Sequence, residues 1–281
     1  MPVHTDTHQS SRALLTEWST SGAASIPVLP ALATRVISLA SDPESTLTQL
    51  SRVISKDQVL TTRLLSLANS AYSAPAAEIT SVSDAVMRVG SSGVRNLAVT
   101  VCFTSRMQDP DIYGAKGAAL VDHGIGAAYL ARLIAEESDE DPEEAFLCGL
   151  LHDIGKLVLL KWYHDRLRQT GIRCEQIDEV IEQWHPTVAA LAFRRWNLPV
   201  ELDEPVMHHH DHTKATARRS LAAVVYLANR LSHRYGFGCD ADGSDLADDP
   251  AVRELGLTTE WLASLDVKAP GLFSVARQIL G

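Results

Sequence analysis

The chain has 281 residues, room for one large domain or two modest ones, and its 46% apolar and 21% charged composition suits a globular protein with a real core. Lys and Arg (25) fall short of Asp and Glu (35), and the net charge of −10 argues against nonspecific binding to nucleic acid or to an anionic membrane, both of which need a cationic surface. There is no run of about 18 apolar residues, no apolar leader over Met1–Arg12 and no Cys-x-x-Cys among four well-separated cysteines. A reduced, cytoplasmic, acidic protein is expected.

In chain order, Leu29, Leu32, Ala33, Val36, Ile37, Leu39 and Ala40 recur at three and four residues and predict an amphipathic helix. Leu47, Leu50, Val53 and Ile54 predict a second. Val59, Leu60, Leu64, Leu65, Leu67 and Ala68 predict a third, with Asp57 as its N-cap and Asn69 as a left-handed stop. Ser81-x-x-Asp84 caps a fourth, Gly90 ends it, and Ser91 and Ser92 offer caps for a helix through Val94, Leu97, Val101 and Cys102. No stretch alternates over five residues, so no strand is expected. The fold class is all-α.

Gln108-Asp109-Pro110-Asp111 breaks the helical pattern and separates an N-terminal helical half from the rest. Seven of the nine residues from Glu136 to Glu144 are acidic, which reads as a solvated loop feeding a helix N-terminus. Gly236–Asp249 reads as a loop before a short helical tail. Its Asp240, Asp242 and Asp245 lack the order of a calcium loop.

Histidine is the informative residue type. Of eleven, His4, His8 and His233 are set aside, and those that matter are His123, His152-Asp153, His185-Pro186 and the triplet His208-His209-His210. His152-Asp153 lies in an apolar run, Gly149-Leu150-Leu151-His152-Asp153-Ile154-Gly155, so both polar groups are expected to be buried, and each would cost about 1–3 kcal/mol unpaired. Imidazole plus carboxylate suits a divalent ion of the Fe, Mn, Co or Zn kind. A single buried His is more often a hydrogen-bonded core residue; the joint pattern brings a metal site level with that plainer reading.

The pattern resembles the HD superfamily, helical bundles whose metal is held by a His, a His-Asp pair and a later Asp. The closer resemblance, over Ile26–Arg234, is to the HDOD (HD-related output domain) family. It rests on Pro27-Val28-Leu29-Pro30, Ile54-Ser55-Lys56-Asp57, Leu64 to Tyr72, Ile79-Thr80-Ser81, Ala85 to Gly90, and Ala145 to Gly155. The resemblance implies an N-terminal helical layer, up to about Met107, packed on an HD-like bundle from about Gly117 to Tyr235. Residues 1–24 would be a helical or flexible extension. Residues 25–236 would be the HDOD domain, divided into 25–108 and 109–236, and 237–281 a loop with short helices.

For function, the resemblance implies a signalling output module that acts through other signalling proteins or self-association, without nucleic acid or membrane. It is expected to be non-catalytic, with a weakly held divalent metal at His123, His152, Asp153, His185, His209 and His210. His208 is expected to point outward. The competing reading is a metal-dependent phosphohydrolase similar to HD-GYP cyclic di-GMP phosphodiesterases, in which Lys156 would be a phosphate-facing cation. Three departures weigh against turnover: Ala119 stands four residues before His123, Asn229 takes the place of the final Asp, and Asp211-His212-Thr213-Lys214 carries no Gly-Tyr-Pro loop. The Arg194-Arg195 and Arg218-Arg219 pairs are expected to cap helix ends or stay solvated rather than bind nucleic acid.

Overall fold

The computed structural model describes residues 11–21, 26–70, 78–106 and 109–280. Ala71, Tyr72, Met107 and Gln108, which belong to the resemblance and to the predicted break, lie outside the described residues, as do His4 and His8. Thirteen α-helices and no extended strand occur among the described residues, as the sequence predicts.

A first helix, α1 (Ser11–Ser21), precedes a layer made of α2 (Ala31–Ser41), α3 (Leu47–Ile54), α4 (Gln58–Ala68) and α5 (Val82–Arg106). The local signals act as expected at most ends. Thr46 and Gln49 form a reciprocal capping box on α3, Asp57 accepts from Leu60 N at 2.8 Å, and Ser81 Oγ accepts from Asp84 N at 3.0 Å. Gly90, at φ 76° and ψ 170°, breaks α5 into two runs. Asn69 departs from expectation. Its backbone is not left-handed (φ −99°, ψ 1°); its side chain instead brackets Ile79, donating to its carbonyl at 2.7 Å and accepting from its N–H at 2.8 Å. The amide therefore ties the end of α4 to the chain ten residues on.

The second layer is a bundle of α6 (Pro110–Glu137), α7 (Pro142–Leu151), α8 (Ile154–Thr170), α9 (Ile177–Arg195), α10 (Asp203–Met207) and α11 (Arg219–Arg234). By length and composition α6 alone among the described helices could cross a membrane, but 72% of its apolar window is buried in the fold, against α7, α8 and α11. The acidic run is only partly the solvated loop expected. Asp141 caps α7, but Glu143 is drawn inward to a buried Arg132 and to Asn96 of α5, whose amide donates to it at 2.9 Å. That contact, with Glu144 and Glu140 on Arg218, joins the two layers and α11. Arg194 and Arg219 stay largely solvated, as expected, the first paired with Asp203 and the second with Glu254.

The tail is longer than the sequence predicts. After α12 (Pro250–Glu254), capped by Asp249, α13 (Thr259–Leu280) runs 22 residues and packs on α6, α4 and α5. At the other end α1 is docked: Trp18 meets Trp162 edge-on at 5.4 Å, and Glu17 accepts from Arg166 at 3.0 Å. The first and last described helices therefore brace the body.

Helix α8 approaches α9 so closely at Gly155 that a Cβ there would lie 2.0 Å from the His185 carbonyl oxygen. Backbone cannot yield as a flexible side chain does. Gly155→Ala is expected to force the helices apart and cost about 1–3 kcal/mol or more in urea unfolding. Unchanged stability would show that the approach is looser than this.

Candidate metal centre

The centre is assembled from residues on several helices and the turns between them. His123 projects from the middle of α6; His152 and Asp153 form the junction of α7 and α8; His185 is on α9; His209 and His210 follow α10; Asn229 is on α11. His123, His152, Asp153, His185, His209 and Asn229 are all buried. The six sequence-predicted residues do converge. His123 Nε2 lies 3.2 Å from His152 Nε2, His185 Nε2 lies 3.2 Å from His209 Nε2, and His210 Nε2 lies 3.0 Å from His185 Nε2. Asp153 joins the two groups: Oδ2 is 3.6 Å from His152 and 4.0 Å from His123, while Oδ1 is 3.2 Å from His185 and 3.6 Å from His209.

The protons decide what this arrangement can do. His152 Nδ1 sits 2.7 Å from the Gly149 carbonyl, His185 Nδ1 3.0 Å from that of Ile181, and His209 Nδ1 2.6 Å from that of Val206. A carbonyl only accepts, so each Nδ1 carries the proton and each Nε2 presents a bare lone pair. On His123, Nδ1 faces the Phe237 carbonyl at 3.3 Å and Ser232 Oγ at 3.1 Å while Nε2 points inward, 2.9 Å from Asn229 Oδ1, so this ring can carry its proton on either nitrogen. Burial opposes a second proton on these rings: it lowers His152 to about 3 and His123, His209 and His210 to about 4. Bare nitrogens thus face one another, and Asp153 Oδ1 is buried without a hydrogen-bond donor.

Such a set repels itself unless a cation lies between. Two nitrogens each about 2.1 Å from one ion are about 3.0 Å apart at a right angle and about 3.4 Å apart at the tetrahedral angle. The observed 3.0–3.2 Å separations fall in that interval. His152, His185 and His209 each also have the outer N–H···O=C bond that fixes the ring and raises its basicity toward a metal. The residues fit a divalent cation.

Two details differ from expectation. His210, not His208, is the exposed member of the triplet, although its Nε2 still reaches His185; His208 is half-buried and outside the cluster. Lys156 is not a free cation. Its ammonium sits 3.1 Å from Asp153 Oδ2 and 3.2 Å from Glu182, one charge shared by two carboxylates. Burial acts to lower its pKa, but these anions prevail and raise it. Burial alone would raise Asp153; the histidines and Lys156 hold it well below the usual carboxylate range. A cavity of about 330 Å³ opens beside the centre, with Asp153, Lys156 and His123 on its wall. Sequence reasoning missed the outer partners Ser232 and Phe237, which nothing local in the sequence marks, and set aside His233, which lines the same cavity.

Residues 26–212 match the HDOD domain family, two thirds of the chain and nearly all the helices that build the centre. The chain belongs to the HDOD family. The HDOD fold is shared with a solved structure from Shewanella amazonensis, provisionally named a metal-dependent phosphohydrolase, at TM-score 0.73 and 17% identity over 96% of this chain and 99% of that one. A second, from Marinobacter aquaeolei and provisionally named a signal transduction protein, has TM-score 0.65 and 24% identity over 90% of this chain and 59% of that one. An uncharacterized protein of Treponema pallidum is 28% identical over 215 residues, 73% of this chain and 41% of its own. This chain spans less than half the length of the curated relatives it matches.

The depressed histidines give the metal-free protein an acid liability. An unfolded imidazole binds its proton near pH 6.5, while the four folded rings wait until about 3–4, so between these values the unfolded state holds more protons. Stability is therefore intact above about pH 6.5 and falls as pH drops toward 4, by up to about 1.4 kcal/mol per pH unit for each fully buried ring. Urea unfolding in chelator should show this slope, and excess zinc at pH 7 should raise the midpoint. A flat profile from pH 7 to 4 would contradict the neutral, buried assignment.

Proposed function

We propose that this HDOD chain is a signalling module whose HD-type centre holds a divalent cation as part of the fold and does not turn over phosphodiesters. It acts through contacts with other signalling proteins or with a second copy. The observation that carries the reading is the set of bare Nε2 atoms fixed around Asp153, with Asn229 in the remaining position. His185, His209, His210 and Asp153 Oδ1 would hold one ion. His123, His152, Asn229 and Asp153 Oδ2 form the other half of the centre. A divalent ion bound there supplies Lewis acidity and positive charge at the cavity wall.

The chain's own residues argue against hydrolysis. Asn229 contributes a neutral amide oxygen where a carboxylate would add negative charge, which weakens the second half of the centre. Lys156 is already bound to Asp153 and Glu182, and Lys116, also on the cavity wall, is 2.9 Å from Asp178. A phosphodiester entering the cavity therefore finds its two lysines paired and three carboxylates among them. With both lysines engaged, the bound ion alone would be left to stabilise the charge that develops in in-line attack.

The phosphohydrolase reading has one specific observation in its favour, the cavity that opens on Asp153. The two readings separate in one experiment. Elemental analysis of the purified protein should find bound transition metal, and the loaded protein should leave cyclic di-GMP and nucleotides intact. Robust hydrolysis lost in His152→Ala and Asp153→Ala would establish the enzyme instead. Asn229→Asp is expected to tighten divalent-cation binding about tenfold or more, because it adds a unit of negative charge beside the ion. Isothermal titration of stripped protein measures it, and no gain would place residue 229 outside the ligand set.

A further inference from the structure

We infer that Cys239 and His233, with His123 behind them, form a separate cation site at the mouth of the cavity, selective for soft divalent ions of the zinc class. Their candidate ligand atoms all lie within 4.8 Å of one another, and Cys239 Sγ is 3.3 Å from His233 Nδ1. The His233 and His123 rings are 4.6 Å apart, centroid to centroid. Cys239 and His233 are exposed to the cavity, whereas His123 is buried. The site goes beyond the proposed signalling role and shares only His123 with the HD-type centre.

The segment that presents the thiol is rigidly placed. After α11 the chain turns through Gly236 and Gly238 at φ 71° and 73°. At Gly238 a Cβ would lie 2.0 Å from the Ala119 carbonyl oxygen, so only glycine lets the loop lie flat on α6. Phe237 is buried between them, its N–H donating to Ser232 O at 3.0 Å and its carbonyl facing His123 Nδ1. Cys239 is therefore held over His123 by backbone on both sides. Asp240 and Asp242 follow at once and add negative potential that favours a cation.

Ligand chemistry sets the selectivity. The HD-type centre offers nitrogen and oxygen only, whereas this cluster adds a sulfur, which favours zinc, cobalt or copper over magnesium and manganese. A ligand set of two or three side chains at a cavity mouth leaves coordination positions open to a bound molecule or to water. A neutral imidazole has a single lone pair, so His123 serves only one of the two centres at a time.

Cobalt(II) reads this site alone, because only a thiolate ligand gives a near-ultraviolet sulfur-to-cobalt charge-transfer band. Chelator-stripped full-length protein titrated with Co(II) should develop that band and lose it on addition of zinc. Cys239→Ser should abolish the band and lower the bound-metal count by one ion, while Cys102→Ser keeps both. His233→Gln should weaken the band-forming affinity by about tenfold. Asp153→Asn should lower the metal content of the HD-type centre and leave the sulfur band, so failure of that centre and failure of this site are told apart. Absence of the band, or its persistence in Cys239→Ser, would overturn the inference.

Discussion

A single buried carboxylate organises this protein. Asp153 begins α8 beneath the surface of the bundle, and an isolated carboxylate in such a place costs many kcal/mol unless it is paired. The fold answers with one ammonium on Oδ2 and a ring of imidazoles drawn from α6, α9 and the turn after α10. Those imidazoles bring bare nitrogens rather than protons, so Oδ1 is left without a donor. The bundle is thus arranged around a deficit of positive charge that Lys156 meets only in part.

That constraint reaches outward through ordinary helix geometry. In an α-helix or its closing turn, a histidine can return its Nδ1–H to a carbonyl three or four residues back. His152, His185 and His209 do so, which fixes each ring without any distant partner. His123 has no such contact with its own helix. It takes Ser232 and the Phe237 carbonyl instead, and this is why the loop after α11 must lie on α6. The close contact of α8 and α9 at Gly155 serves the same end, bringing His185 over Asp153.

The sequence displayed what is local. Helical spacing, the Asp57 and Ser81 caps, the Gly90 break and the order of His123, His152-Asp153, His185 and His209-His210 could all be read from neighbours in the chain. What it hid is tertiary. Asn69 looks like a helix stop in any context, but its bracket on Ile79 exists only once the chain has returned. Glu143 belongs to an acidic run that composition assigns to solvent; Arg132 and Asn96 pull it inside. The charge on Lys156 looks available until Glu182, from another helix, is beside it. His233 and Cys239, six residues apart, have no periodicity that marks them as a pair.

The donor set also bears on which chemistry the HD-type centre can support. Five imidazoles and one carboxylate supply a single negative charge among neutral nitrogens. Magnesium prefers oxygen, keeps most of its water and is held by carboxylates and substrate phosphates, so this cage suits it poorly. Zinc, cobalt and iron bind imidazole well and tolerate low ligand charge. An ion of that kind, held by neutral nitrogens beside an amide rather than a second carboxylate, retains most of its positive charge. With Lys156 pinned to the same Asp153, the rigidity of the cluster then becomes its main product: a fixed joint among α6, α8, α9 and α11. A metal held there would fix these four helices of the second layer against one another, which is the kind of change that the proposed signalling role requires.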